Sequence, residues 1–504
     1  MSVAVLPESR EPVVLALDVG SSSIRAMLFS AKGRSVEEQT SQVTYAMSPK
    51  PDGGVECEAE MLLGCVGKAI DALLQRAGRL ASRVAGVGIS CFWHSLVGVG
   101  ADGRALTPIY SWADTRGDAA AAELRTRLDE RAVHARTGCL LHPSYLPAKL
   151  LWLSRSRPET CRRVSRWMSF GEYLTLRVLG ESTCSISMAS GTGLFDQRRC
   201  TWDKEILDTL ALDAERLSPL GDLTTPLVGL RDEFASRWPA LRAVPWFPAV
   251  GDGACSNIGS GCVTPERIAL MVGTSGAMRV CWDAPEVRIP PGLWCYRADR
   301  RRVVLGGALS AGGDLFAWLQ RLLRLHEGEA LERTLADMEA DVHGLTVLPF
   351  PSGERSPGYA GHARAAILGL GLSTEPVEIL RAGLEAVAYR FAAIYALLRA
   401  AVPEAREIVA SGGALLRSPA WTQIMSDVLG QPVHALDEPE ASSRGAALLA
   451  LEALGLLADI RDAPAALGRT CLRDPARHER YRRAVARLER FYDVLIRQRP
   501  EREL

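Results

Sequence analysis

One short pattern occurs twice in this chain and limits the folds open to it. It first reads Ala16-Leu17-Asp18-Val19-Gly20-Ser21-Ser22-Ser23-Ile24-Arg25, and past the midpoint Ala269-Leu270-Met271-Val272-Gly273-Thr274-Ser275-Gly276-Ala277-Met278-Arg279. Each copy is an apolar run, a glycine with small hydroxyl residues, and a second strand-like run: the pattern of a β-hairpin with a tight turn. Backbone N–H groups and hydroxyls in such a turn can hold phosphate. Two copies imply two related domains facing one nucleotide. They are not chemically equal, because only the first carries an acid, Asp18, where the second has Met271.

The length agrees, since 504 residues are too many for one ordinary domain and suit two of roughly 250. Pro239, Pro245 and Pro248 interrupt regular structure and divide the chain into 1–248 and 249–504. A formal net charge of zero argues against a nucleic acid or a membrane surface held by bulk charge. The 12 cysteines are scattered singly, with no C-x-x-C pair and no zinc spacing, and read as reduced thiols of a cytoplasmic protein. The most apolar stretches, 391–402 and 446–458, are too short to span a bilayer and read as buried helices.

Periodicity predicts strands over 13–20, 24–29 and 36–44, a helix over 60–80, and a short buried strand over 83–90. Such strand ends are where open α/β sheets present ligand-binding groups. Helices are predicted over 118–137 and 147–155. The strand-turn-strand pattern restarts at Ile268, followed by a strand over 301–309 and a helix over 314–325. Ser373 or Thr374 would cap a long helix running from Pro376 to about Ala401. A short strand over 408–410 and helices over 419–429 and 442–456 follow. Tyr481, Val485, Leu488, Tyr492 and Leu495 recur at helical spacing and give a final amphipathic helix whose stripe packs.

Three motifs carry chemistry. Asp18 lies inside an apolar strand, where an unpaired carboxylate is costly. It needs a metal, a donor network or water. Mg²⁺ bridging to phosphate would suit it, and capping its own turn is the structural alternative. In Gly251-Asp252-Gly253 the glycines would let the backbone approach a ligand. An Asp there could accept the proton of a hydroxyl attacking a phosphate, although a plain turn accounts equally well for these three residues alone. In Ser411-Gly412-Gly413-Ala414 the glycines would let a flat ring lie on bare backbone near a helix N-terminus; an ordinary tight turn reads as well. Neither hairpin fits the Walker pattern or G-x-G-x-x-G, so a dinucleotide-binding dehydrogenase lacks its fingerprint.

In order along the chain, 18–23, Trp112-Ala113-Asp114-Thr115-Arg116, 189–196, Gly251-Asp252-Gly253, Gly273-Thr274-Ser275-Gly276 and Ser411-Gly412-Gly413-Ala414 resemble the FGGY family of carbohydrate kinases. The resemblance implies an α/β fold of two actin-like (ribonuclease-H-like) domains, each a mixed sheet flanked by helices, with a cleft between them. It implies ATP and Mg²⁺, the nucleotide mainly on the second domain and the sugar mainly on the first. By matching position, Asp252 is the catalytic base, and Asp18 with Asp252 forms the metal side. Gly20, Ser21, Ser22, Ser23, Gly273 and Thr274 line the phosphates, while Gly313, Gly412, Gly413 and Arg417 fall near the adenosine. Trp93 and Trp112 would stack on a sugar's apolar edge, and His94 and Asp114 would bond its hydroxyls.

Residues 112–116, with His142-Pro143 and 189–196, look most like the gluconokinase-like branch. That implies conversion of gluconate to 6-phosphogluconate, with xylulose, another ketose or a polyol as the alternative. Gluconate is an anion and needs a cationic partner, for which Arg116, His142 and Lys149 are available. An actin-like or chaperone-type ATPase would use the same hairpins, but would need neither the G-D-G base nor a tryptophan-lined pocket. A silent sugar-binding regulator is disfavoured by the presence of both Asp18 and Asp252. The implied partners are a small sugar or sugar acid and ATP, with no nucleic acid and no membrane; a homodimer is compatible with a sequence silent on oligomeric state.

Overall fold

The computed structural model describes residues 11–326 and 328–498. Its frame is two sheets, each built on one of the hairpins. In the first, β1 (Val13–Val19) and β2 (Ser23–Ser30) are antiparallel, as are β2 and β3 (Ser35–Thr44). β4 (Val84–Cys91) runs parallel to β1, and the short β5 (Val250–Gly251) parallel to β4, so the order is β5-β4-β1-β2-β3. The second sheet contains β6 (Arg267–Val272), β7 (Gly276–Asp283), β8 (Trp294–Arg297), β9 (Arg302–Leu309), β10 (Glu407–Ser411), β11 (Val433–Leu436) and β12 (Leu467–Cys471). Its order is β8-β9-β7-β6-β10-β11-β12. A hairpin, a third antiparallel strand on one side and two parallel strands on the other thus occur in the same order twice. The duplication expected from the repeated turn is present, and both mixed sheets carry helices, giving the two actin-like domains of the α/β class.

The central strands are apolar because both faces are covered. All seven residues of β1 are buried, Asp18 included. α1 (Ala59–Ala77) lays an apolar face on β2 and β3. α2 (Asp252–Gly259) follows β5 directly, α3 (Gly313–Leu323) follows β9, and α4 (Pro376–Ala401) and α5 (Ala441–Ala453) flank β10 and β11 in sequence.

The two sheets are tied together by the crossing of α2, which follows β5 of the first sheet, and α5, which follows β11 of the second. A Cβ on Gly259 would lie 1.8 Å from the Ala441 carbonyl oxygen, and one on Gly445 would lie 1.9 Å from that of Cys255. No side chain fits between the helices. α5 also lies against the first sheet, where a Cβ on Gly88 of β4 would stand 2.3 Å from the Ala446 oxygen. Leu448, Leu449 and Leu451 accordingly join the first sheet's core. The buried Arg444 donates to the carbonyls of Gly33 at 3.0 Å, Gly259 at 2.7 Å and Ala463 at 2.7 Å. A second seam runs along the edge strand β8: the Cys295 N–H donates to the Gly138 oxygen at 3.0 Å, and the Arg297 N–H to Ser190 Oγ at 2.8 Å.

Two local expectations are corrected. The predicted helix over 118–137 is two helices, Asp118–Arg127 and Glu130–Thr137, because the Asp129 side chain accepts from the Arg131 and Ala132 N–H groups and starts a new helix. The long helix begins as expected at Pro376, but its cap is Glu375, in a reciprocal capping box with Glu378. The Thr374 hydroxyl instead accepts from the Gly371 N–H at 2.9 Å. Among the described residues no helix is long and apolar enough to cross a membrane.

Gly445→Ala is expected to force α2 and α5 apart and lower Tm, at a cost of about 1–3 kcal/mol. Gly64→Ala, on the exposed side of α1 with open space around it, is expected to raise Tm through a gain of about 1 kcal/mol in helix propensity. Thermal unfolding of the two variants reads the opposite signs.

Candidate active site

Three parallel neighbours end at one edge of the first sheet. Asp18 of β1 is level with Ser90 of β4, and Ser90 with Val250 of β5. The Ser90 hydroxyl donates to Asp18 Oδ1 at 2.7 Å. Across the hairpin, Arg25 stands 4.0 Å from Asp18 Oδ2 and is held by Glu440 at 3.1 Å. Two residues past Val250, Asp252 opens α2, with its Oδ1 accepting the Gly253 N–H at 2.8 Å. Burial above all raises the Asp18 carboxyl to about 6; the Ser90 bond opposes this and the Asp252 charge adds to it. Burial also raises Asp252, against the opposing pull of Arg279. Arg279 is itself buried and reaches the Gly253 carbonyl and Asn257 Oδ1, each at 3.4 Å. Two neighbouring acids with a raised pKa form a donor set that a divalent cation would relieve, so these residues fit Mg²⁺.

The glycines around Asp252 have a different task from the one expected. A Cβ on Gly251 would lie 1.8 Å from the Trp93 indole, and one on Gly253 or Gly191 2.6 Å from it. They admit Trp93 rather than a ligand. Trp93 is buried, donates through Nε1 to the Ser187 oxygen at 3.0 Å, and forms the wall behind Asp252.

Next to Trp93, His94 Nδ1 lies 2.5 Å from the Gly191 oxygen. A carbonyl only accepts, so Nδ1 carries the proton and Nε2 is left as an acceptor. Burial, and then Arg355, lower His94 to about 3, which keeps the ring neutral. Its φ of 62° is in the left-handed region, where a bulky residue is strained, as is Tyr359 at 51°. Aromatic rings cluster from here. Trp93 and Tyr296 have centroids 4.8 Å apart, His94 and Tyr145 5.0 Å, His142 and Tyr145 6.4 Å, and His142 and Tyr359 6.0 Å. The Tyr145 and Tyr296 hydroxyls bond at 2.7 Å. Trp112 is half-buried, with the Arg355 guanidinium 5.4 Å from its ring centre.

Asp114 is not free to bond a sugar. Its oxygens accept from Arg116 Nε at 3.1 Å, from Arg116 Nη2 at 2.5 Å and from the Val55 N–H at 3.2 Å. Arg116 also pairs with Glu56 at 2.9 Å and stacks on Trp152 at 4.6 Å. Lys149, fully buried and lowered by burial to about 7, donates to the Pro143 oxygen at 2.7 Å and the Ser144 oxygen at 2.6 Å. It fixes the turn that presents His142.

A cleft of about 1160 Å³ opens on the second half, lined among others by Gly273, Thr274, Gly313, Gly413 and Arg417. The Gly273 and Thr274 carbonyls accept the N–H groups of Gly313 at 2.8 Å and Asp314 at 3.0 Å, which seats the second hairpin on the start of α3. A Cβ on Gly313 would lie 2.5 Å from the Gly273 oxygen. Gly412 has φ 91°, and a Cβ there would lie 2.4 Å from the Val272 oxygen. Arg417 is exposed at the rim. In the first hairpin Ser21 and Ser22 are exposed, whereas Ser23 is buried and its carbonyl accepts the Gly20 N–H at 3.0 Å.

Sequence reasoning did not single out Ser90, Arg279, Tyr145, Tyr296, Arg355, Tyr359 or Gln320. Arg279 lies within the second hairpin motif and Ser90 ends the strand predicted over 83–90, so both carry a local signal. Gln320 lines the large cleft, buried, with no hydrogen-bond partner for its Nε2 among the described residues.

The fold is that of a two-domain carbohydrate kinase. The chain belongs to the FGGY family of carbohydrate kinases: the family's N-terminal domain matches residues 13–259 and its C-terminal domain residues 268–454. It is 26% identical over 453 residues to a gluconokinase of Bacillus subtilis (strain 168), covering 88% of each chain. The ligand-bound xylulose kinase from Lactobacillus acidophilus is similar with a TM-score of 0.90 at 26% identity, over 96% of this chain and 98% of that one. A gluconate kinase from Lactobacillus acidophilus is similar with a TM-score of 0.89 at 26% identity, over 96% of this chain and 98% of that one.

A carboxyl whose folded pKa lies above its unfolded value loses stability as pH rises between the two, for Asp18 from 3.8 to about 6. Above that range ionisation costs about 3 kcal/mol. Without divalent metal, Asp18→Asn is therefore expected to melt above the wild type at about pH 8 and to lose that advantage near pH 4. Thermal unfolding across this range checks it.

Proposed function

We propose that the protein transfers the γ-phosphate of ATP to the terminal hydroxyl of gluconate, giving 6-phosphogluconate. The observation that carries this reading is the position of Asp252. It stands at the strand ends of the first sheet, backed by Trp93 and the aromatic cluster around it, with Asp18 as its neighbour. The gluconokinase relative supports the acid as substrate.

In this reading the first half, 1–248, holds the sugar and the second, 249–504, the nucleotide, with α5 crossing back onto the first sheet. The sugar lies along the rings of Trp93, Trp112 and His142, and His94 Nε2 accepts from one of its hydroxyls. Asp252 takes the proton of the attacking hydroxyl as it reaches the γ-phosphate in line. Its raised pKa moves it toward the working pH of a general base, while Arg279 and the Gly253 N–H stabilise the ionised form. Asp18 and Asp252 would hold Mg²⁺, which when bound neutralises charge on the phosphates. Gly20, Ser21, Ser22, Ser23, Gly273 and Thr274 serve the phosphates. Gly313, Gly412, Gly413 and Arg417 serve the adenosine, with the free amide of Gln320 as a further donor. Closure of the halves would exclude water as a competing acceptor. The reaction fits a cytoplasmic enzyme.

Asp252→Asn is expected to fold and bind ATP normally but to lose turnover by roughly 10²- to 10⁴-fold. An ATP-consumption assay over gluconate, xylulose and glycerol is expected to favour gluconate. Near wild-type turnover in the variant would remove Asp252 as the base, and turnover of xylulose without gluconate would reject the substrate.

A further inference from the structure

We infer that Arg355 is the residue that receives the substrate's carboxylate and so selects sugar acids over neutral sugars. This rests on the kinase reading above and names the group that would set its substrate class.

The other cations near the site are already engaged. Arg116 is bound by Asp114 and Glu56, Lys149 by two backbone carbonyls, and Arg279 by the Asp252 turn. Arg355 differs. Its guanidinium lies over Trp112 at 5.4 Å, half-exposed, and among the described residues no carboxylate lies within ion-pair distance. The neighbouring Glu354 is buried and bound by Arg390 and Tyr492, so the loop is anchored through Glu354 and leaves Arg355 to project. The Glu354 N–H also donates to the Ala360 oxygen at 3.0 Å, and the Ser356 N–H to the Ala308 oxygen at 2.9 Å. These bonds fix the backbone on either side of Arg355, so its side chain starts from an anchored position.

Its surroundings point the same way. Arg355 lowers both His94 and His142, so its charge is felt at the aromatic cluster. Among the described residues its guanidinium has no hydrogen-bond partner, whereas those of Arg116 and Arg279 do. The rings run from Trp93, beside Asp252, to His142, beside Tyr359 of the Arg355 loop. An extended aldonate with its terminal hydroxyl at Asp252 would direct its carboxylate toward Arg355. The planar fork of a guanidinium matches a carboxylate with two parallel bonds, and the Trp112 ring lies 5.4 Å from it. Because Arg355 comes from the second half and Trp112 from the first, the acid would also bridge the two.

The test compares gluconate with glucitol, the same carbon chain with a hydroxymethyl in place of the carboxylate. KM and kcat are measured for wild type, Arg355→Met and Arg355→Lys, with an inhibition constant replacing KM where a compound is not turned over. Arg355→Met is expected to raise the gluconate KM roughly 10- to 100-fold with kcat nearly unchanged, and to leave glucitol binding unaffected. Arg355→Lys is expected to recover part of the loss. An unchanged gluconate KM in Arg355→Met overturns the assignment and leaves the kinase reading standing. Equal weakening of both compounds also overturns it, since that marks a structural role. A wild type that phosphorylates neutral sugars and neither binds nor turns over a sugar acid overturns the assignment and the gluconate reading together.

Discussion

Two carboxylates held close together in a buried place repel each other and resist ionisation, yet the fold is arranged to hold them there. Asp18 and Asp252 are brought together by a parallel register, β1 beside β4 beside β5, that places their strand ends at one edge. The register is secured from behind. α2 begins at Asp252 and crosses α5 at contacts open only to glycine, and α5 lies on β4 at Gly88. Trp93 fills the space beside Gly251 and Gly253, so the Asp252 turn has little room to shift. The stability given up in keeping Asp18 buried is offset by the surrounding core, and the result is a pair of neighbouring acids with raised pKa values.

The two hairpins show how one scaffold serves unequal purposes. The first places an acid at the strand end; the second has Met271 there and presents its turn to a large cleft lined by residues of the second half. The aromatic cluster, by contrast, draws on both halves, with Tyr296 arriving on the edge strand β8 that is bonded to the first half. That cluster is assembled by contacts already made, while the second hairpin faces an open cleft.

Much of this was legible locally. The hairpins follow from a glycine and small hydroxyls between apolar runs, and the helix Pro419–Leu429 from a serine cap, an early proline and a closing glycine. Asp18 stood out as a charge inside an apolar strand, and Asp252 as an acid between glycines. What was missed depends on long-range contact. Nothing near Gly251 or Gly253 says that an indole from residue 93 will occupy their missing side chains. Arg116, two residues on, is a local partner for Asp114, but nothing near Asp114 says that the Val55 N–H will also bind it. Tyr296, Arg355 and Tyr359 reach the site from the other half of the chain and carry no local pattern. Asp129 was absorbed into a helix because its capping role depends on the backbone turning there.

The most direct test of the central claim is the product. Incubated with ATP, Mg²⁺ and gluconate, the protein is expected to form ADP and an equal amount of a phosphate ester whose ³¹P signal couples to the methylene protons of the terminal carbon. ADP accompanied by inorganic phosphate and unmodified gluconate would contradict the account and mark an ATPase.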